Sequence, residues 1–203
     1  MRGSSDLKVH VKPKTFGDHV ALRLVKFLRF LADTFFKKRY GHRAVVLETV
    51  AAIPGMVGGM LIHLKCLRTI KEDGGRIKIL LDEAENERMH LMTFIHIAQP
   101  NWVERFLVIL AQAIFFFFYL ILYIFSPRVA HRFVGYLEEE AVISYTQYLE
   151  EVESGKISND PAPEIAKKYW HLGDKARLSD LIKAVRADEC KHRDVNHTLS
   201  KRL

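Results

Sequence analysis

Apolar positions along this chain recur at intervals of three and four without sustained alternation, and the longest runs exceed strand length, so the pattern predicts helices throughout. The first spans 16–40, where Val20, Leu24, Phe27, Leu28, Leu31 and Phe35 fall at helical spacing among Arg23, Lys26, Arg29, Lys37, Lys38 and Arg39. It is a basic amphipathic helix, suited either to packing on a core or to lying among lipid headgroups. A second helix is expected over 42–70, broken in character at Ile53-Pro54-Gly55, with Gly55, Gly58 and Gly59 permitting close approach of a neighbour. Gly74-Gly75 ends that segment, and a third helix follows over 76–98 until Pro100 stops it. Residues 106–125, FLVILAQAIFFFFYLILYIF, carry no charge over a length sufficient to cross a bilayer. Helices over 131–154 and 178–200, separated by Gly155 and the loop NDPAP, complete the set. No tandem repeat or flexible linker divides the chain, which predicts a polar leader of little order at 1–14 and a single domain over 15–203.

Composition narrows the class. At 203 residues the chain suits one core and one active site. Hydrophobic residues at 49% and charged residues at 27% exclude both a disordered protein and a polytopic membrane protein. The net charge of +7 calls for a negatively charged partner surface, and the apolar runs favour anionic lipid over nucleic acid. Cys66 and Cys190 have no metal-site or disulfide-framework spacing and read as two reduced thiols. Residues 1–14 have neither the apolar core of a secretory signal nor the character of an organelle transit peptide, so the chain reads as bacterial or as a mature or truncated mitochondrial form.

Glu followed three residues later by His occurs at Glu87 and His90 in NERMH and at Glu189 and His192 in ADECKH, each within an expected helix. That spacing aims a carboxylate and an imidazole from one helical face at a common point. Di-iron helical bundles use two such pairs together with one glutamate from each of two further helices. Glu48 is the only acid in AVVLETVAAIPGMVGGMLI, where an unneutralised buried carboxylate would cost several kcal/mol, so it is the candidate on the second helix. The other comes from Glu138, Glu139 and Glu140: Glu138 shares a face with Val142 and Tyr145, Glu140 with Ser144 and Gln147, and geometry leaves the choice open. At least one of the three is expected on a solvated acidic face. Four carboxylates and two imidazoles are hard donors suited to a pair of iron ions, and their charges match two Fe(II). Reduction of oxygen to water takes four electrons, which such a pair could handle with a nearby redox-active phenol, and Tyr145 stands two turns from Glu138.

The segments LETVAAIPGMVGGM, NERMHLMTF, VGYLEEEAV and RADECKHRDVNH, within a span from about residue 25 to 197, together resemble the alternative oxidases. The resemblance implies a ferritin-like four-helix bundle with two additional membrane-associated helices, monotopic in one leaflet. It also implies a cyanide-insensitive, non-proton-pumping oxidase of ubiquinol that uses two iron ions and molecular oxygen. The ligands it implies are Glu48, Glu87, His90, Glu138, Glu189 and His192, choosing the first glutamate of the triple. Tyr145 matches the tyrosine near the metals, and Asn86, His131, Tyr169, Trp170 and Asp188 match an outer network of the kind that orients ligands. The quinol pocket carries over to Arg43, Leu47, Leu137, Glu140, Ala141 and Ser144. The greasy outer surface is expected also to form a homodimer, nucleic acid is not an expected partner, and the expected place is the matrix side of the inner mitochondrial membrane or the cytoplasmic side of the bacterial inner membrane.

The order of the candidate ligands along the chain constrains the membrane topology independently of the resemblance. A single crossing at 106–125 would put Glu87 and His90 on one side of the bilayer and Glu138, Glu189 and His192 on the other, so the uncharged helix is expected in one leaflet beside the basic amphipathic helix. Three rivals remain: a ferritin-type ferroxidase, which has no use for the uncharged helix; a non-enzymatic membrane protein with coincidental Glu and His pairs; and the related plastoquinol terminal oxidase.

Overall fold

The structure is a computed structural model describing residues 7–36 and 39–203. Lys37 and Lys38 of the expected first helix, and the first six residues of the leader, lie outside the described residues. Among those described there are seven helices: α1 (Phe16–Phe36), α2 (Tyr40–Thr69), α3 (Arg76–Ala98), α4 (Trp102–Phe125), α5 (Pro127–Glu153), α6 (Glu164–Tyr169) and α7 (Leu178–Arg202). The only pairing of strand type among them is the isolated bridge between Pro161 and Arg177, so the fold is all-α.

α2 departs from expectation, because it runs unbroken through Pro54. A mid-helix proline forfeits one backbone hydrogen bond and crowds the preceding turn, at a cost of about 3 kcal/mol. Burial of Ile53, Pro54, Gly55, Val57, Gly58 and Gly59 offsets that cost. A Cβ on Gly55 would stand 2.3 Å from the Leu80 carbonyl oxygen, and one on Gly59 would stand 3.2 Å from Leu81, so α3 presses on the backbone of α2 and holds it in line. The short α6 was not expected: six residues are too few to show a periodicity.

The chain divides into two compact units, Gly41–Ala130 and Met1–Tyr40 with His131–Leu203. In the first, α2 and α3 are antiparallel, since Gly55 meets Leu80 and Ala84 while Gly59 meets Ile77 and Leu81. α4 starts with an Asn101–Glu104 capping box. Glu104 also pairs with His42 at 2.8 Å, pinning the start of α4 to the start of α2. Tyr123 of α4 closes on Gly58.

In the second unit, α5 and α7 are antiparallel, linked from one end by His131 to Asn196 and from the other by Thr146 to Arg186. α1 lies along α5, with Asp18 near Arg132 and Arg29 bonded to Gln147. Residues 7–14 run irregularly and are tied to α5, where Glu139 accepts the Val11 amide.

Two helices wear their apolar residues outward. α4 buries only Glu104, Tyr119 and Tyr123, and exposes Phe106, Ile109, Leu110, Ile114, Phe117, Ile121 and Ile124 as a continuous stripe. α1 buries the small residues Ala21, Val25 and Ala32 while exposing Phe16, Phe27, Phe30 and Phe35. Both α2 and α4 are long and apolar enough to cross a membrane, but the most apolar stretch of α2 is 56% buried within the protein and that of α4 only 11%. Exposed apolar surface on this scale requires an apolar partner.

Candidate functional site

Each unit gathers one half of the expected ligand set. In the first, Glu48 of α2 and Glu87 and His90 of α3 are all buried, and one ligand atom from each lies within 4.8 Å of the others. His90 Nδ1 is 3.2 Å from Glu87 Oε2 and 3.5 Å from Glu48 Oε2. Glu87 and His90 meet because i and i+3 share a helical face, and Glu48 joins them through the close α2–α3 contact two turns away.

In the second unit, Glu138 of α5 and Glu189 and His192 of α7 are likewise buried, with ligand atoms within 4.8 Å of one another. His192 Nδ1 is 3.8 Å from Glu189 Oε2. Each half thus offers two carboxylates and one imidazole in a water-poor setting. Burying two like charges together is unfavourable by several kcal/mol per ion without a compensating cation. The oxygen and imidazole donors fit first-row metals such as iron.

The glutamate triple separates three ways, and none of its members is a solvated surface acid. Glu138 joins the ligand set; Glu139 is buried against α7, where it accepts from His197; Glu140 is half-buried and gripped by Lys26 and Arg29 of α1. The expectation of a solvated face fails because α1 and α7 cover the two remaining sides of α5. Arg29 further donates to the Glu140 carbonyl at 3.0 Å. The reading of the sequence missed both Lys26 and Arg29 as partners of Glu140; they were visible only as basic positions on an amphipathic helix.

Tyr145 is buried on α5. Trp170 Nε1 donates to Asp188 Oδ2 at 2.7 Å, and the Tyr169 ring stands edge-on to Trp170. Lys191 holds the other oxygen of Asp188, so the residue preceding Glu189 is fixed from both sides. Asn196 Nδ2 donates to the His192 carbonyl, which orients the amide and leaves its oxygen to accept from His131 Nδ1. Asn86 is half-buried beside Glu87. Of the expected quinol contacts, buried Arg43 and exposed Leu47 belong to the first unit, and half-buried Leu137, Glu140, Ala141 and Ser144 to the second.

The family described as "Alternative oxidase" matches residues 4–201. The chain is 59% identical over 197 residues to "Ubiquinol oxidase, mitochondrial" of Mangifera indica, covering 97% of this chain and 62% of that protein. It is 58% identical to "Alternative oxidase 3, mitochondrial" of Glycine max, covering 97% of this chain and 60% of that one. The chain therefore spans about three fifths of the length of the curated relatives it matches.

Proposed function

We propose, because the chain belongs to the alternative oxidase family, that it is a cyanide-insensitive, non-proton-pumping oxidase that takes electrons from ubiquinol and reduces oxygen to water at a non-haem di-iron centre. The observation that carries this reading is the pair of matching buried sets, each a lone Glu joined by a Glu-x-x-His pair. Glu48, Glu87 and His90 from one unit and Glu138, Glu189 and His192 from the other would hold the two irons, with α2, α3, α5 and α7 acting as one four-helix bundle and 15–203 as one domain. When bound, the iron pair would supply the redox capacity to reduce oxygen fully to water.

The chain's own groups supply the rest. The Tyr145 phenol would carry an electron and proton beside the ligands, Arg43 would donate to a quinol oxygen, and Leu47, Leu137, Glu140, Ala141 and Ser144 would line its pocket. Asp188 with Trp170 and Tyr169, His131 through Asn196, and Asn86 would keep the ligands oriented. The outward apolar stripes of α1 and α4 would sit in one leaflet of an inner membrane, on the matrix side in mitochondria or the cytoplasmic side in bacteria. A second copy of the chain would share that surface.

Detergent-purified, iron-quantified protein given a short-chain ubiquinol is expected to consume oxygen in the presence of cyanide, and a hydroxamate inhibitor is expected to stop it. About two irons per chain without quinol oxidation would instead mark a ferroxidase. Tyr145→Phe is expected to bind iron as the wild type does but to turn over at least about tenfold more slowly, or ~1.4 kcal/mol on the barrier. Unchanged steady-state oxygen uptake would remove the phenol from the reaction.

A further inference from the structure

Beside the α5–α7 half of the ligand set lies a second buried polar cluster for which the oxidase reading has no use. Asp18 of α1, Arg132 and Glu139 of α5 and His197 of α7 are each more than nine-tenths buried. They form one chain: Asp18 Oδ1 is 3.5 Å from Arg132 Nε, Arg132 Nη1 is 2.8 Å from His197 Nδ1, and His197 Nε2 is 2.8 Å from Glu139 Oε1. Glu139 is completed by the Val11 amide, at 2.9 Å on Oε1, and by His10 Nδ1 on Oε2.

The partners leave the cluster one protonation pattern. A guanidinium can only donate, so His197 Nδ1 must be the bare nitrogen and Nε2 must carry the hydrogen that Glu139 accepts. Burial, with the positive charges of Arg132 and Arg193, outweighs the attraction of Glu139 and holds the His197 imidazole below its ordinary range, hence neutral. Burial opposes ionisation of Glu139, but the bonds from His197, Val11 and His10 outweigh it and keep the carboxyl below its ordinary range. The imidazole is seated against the backbone of α5: a Cβ on Gly135 would stand 2.5 Å from His197 Nδ1, so only glycine admits the ring there. Tyr136 closes it edge-on, with ring centroids 5.4 Å apart.

The placement of this contact gives it a consequence for the ligands. Glu139 follows Glu138, about 100° further round α5, so a rotation of α5 that breaks the Glu139 contact also shifts Glu138 relative to Glu189 and His192. His197 rides on the same helix as those two ligands. A directional bond, locked in one tautomer, therefore joins the two helices that bear this half of the set, between the His131–Asn196 link at one end and the Thr146–Arg186 link at the other.

We propose, resting on the di-iron reading above, that Glu139 and His197 are positioning residues: their bond, seated by Gly135 and oriented by Arg132, sets the rotation of α5 against α7 and so the geometry in which Glu138, Glu189 and His192 receive iron. His197→Ala should retain wild-type helicity, yet take up Fe(II) with an apparent affinity lowered about tenfold or more, so that it holds less iron than the wild type at the same Fe(II) concentration, and show a shifted ligand-field circular dichroism spectrum. His197→Gln should recover both, because its Nε2–H reaches the position of the imidazole Nε2–H.

The test is anaerobic Fe(II) titration of the detergent-purified full chain, read as iron per chain and as that spectrum, with far-ultraviolet circular dichroism on the same samples. Iron content and spectrum unchanged in folded His197→Ala would overturn the proposal, as would a folded His197→Gln no better than the alanine variant. If His197→Ala loses helicity, Glu139→Ala, which leaves the Arg132–His197 contact in place, is read by the same two criteria. Wild-type protein that takes up no iron overturns the di-iron reading and this one with it, whereas a normal wild type beside an unaltered variant overturns the positioning role alone.

Discussion

On the proposed di-iron oxidase reading, Glu189→Gln is expected to abolish iron binding and oxygen uptake while leaving the metal-free form at least as stable as the wild type. Glu189 is 1% exposed, and one of its carboxylate oxygens lies within 4.8 Å of ligand atoms of Glu138 and His192. A neutral amide of the same shape leaves no cavity and relieves the desolvation and mutual repulsion of clustered carboxylates, a penalty of several kcal/mol per buried ion. The same exchange removes an anionic oxygen donor, which an amide replaces poorly on iron. The melting temperature of the metal-free variant should hold or rise, by about 2–4 °C for each kcal/mol gained at this chain length, while iron by mass spectrometry falls from about two per chain to a small fraction of that. A stability sacrificed to function in this way has a sign that ordinary core damage does not share. Wild-type iron content in the variant would remove Glu189 from the ligand set, and iron lost only through a lowered melting temperature would make it a structural acid.

Five of the six candidate ligands were legible because their signals are local, whereas Glu138 was singled out from its two neighbours only by the family resemblance. Glu87 with His90 and Glu189 with His192 announce themselves by spacing, and Glu48 by being the only acid in an apolar run. The ends of α3 were equally legible, since Gly74-Gly75 and Pro100 punctuate it on both sides. What failed to show was set by residues distant in the chain. Pro54-Gly55 carries the local signature of a break, and only the pressure of α3 on Gly55 explains why α2 continues. Periodicity could place Glu138, Glu139 and Glu140 on different sides of α5, but not say what waited there. The partners of Glu139 and Glu140 lie 58 and more than 110 residues away, on α7 and α1. On α1 the basic and apolar positions were legible, but that Ala21, Val25 and Ala32 face inward while the phenylalanines face out depends on the bulk of α5 beneath.

Gly55→Ala sets two known effects against each other, and the geometry decides between them. Within a helix, alanine is favoured over glycine by about 1 kcal/mol, so propensity alone would make the variant more stable. The added Cβ, however, would stand 2.3 Å from the Leu80 carbonyl oxygen and 3.0 Å from the Ala84 Cβ. Neither the new atom nor the carbonyl can rotate away, since both belong to helix backbones, so α2 and α3 must part. Overpacking of this kind costs about 1–3 kcal/mol and sometimes more, and losing contact along the helix pair adds to it, so the net expectation is destabilisation by about 2 kcal/mol. The loss should extend to metal binding, because Gly55 lies two turns from Glu48 on one face of α2, and Leu80 two turns from Glu87 on one face of α3. Parting the helices there widens the 3.5 Å approach of Glu48 to His90. Gly173→Ala, where the new Cβ meets nothing within 4 Å, is the neutral control. Thermal unfolding of the two metal-free variants, followed by Fe(II) titration, checks the prediction; a Gly55→Ala protein as stable as the control would mean that α2 and α3 do not approach as closely as the structure has them.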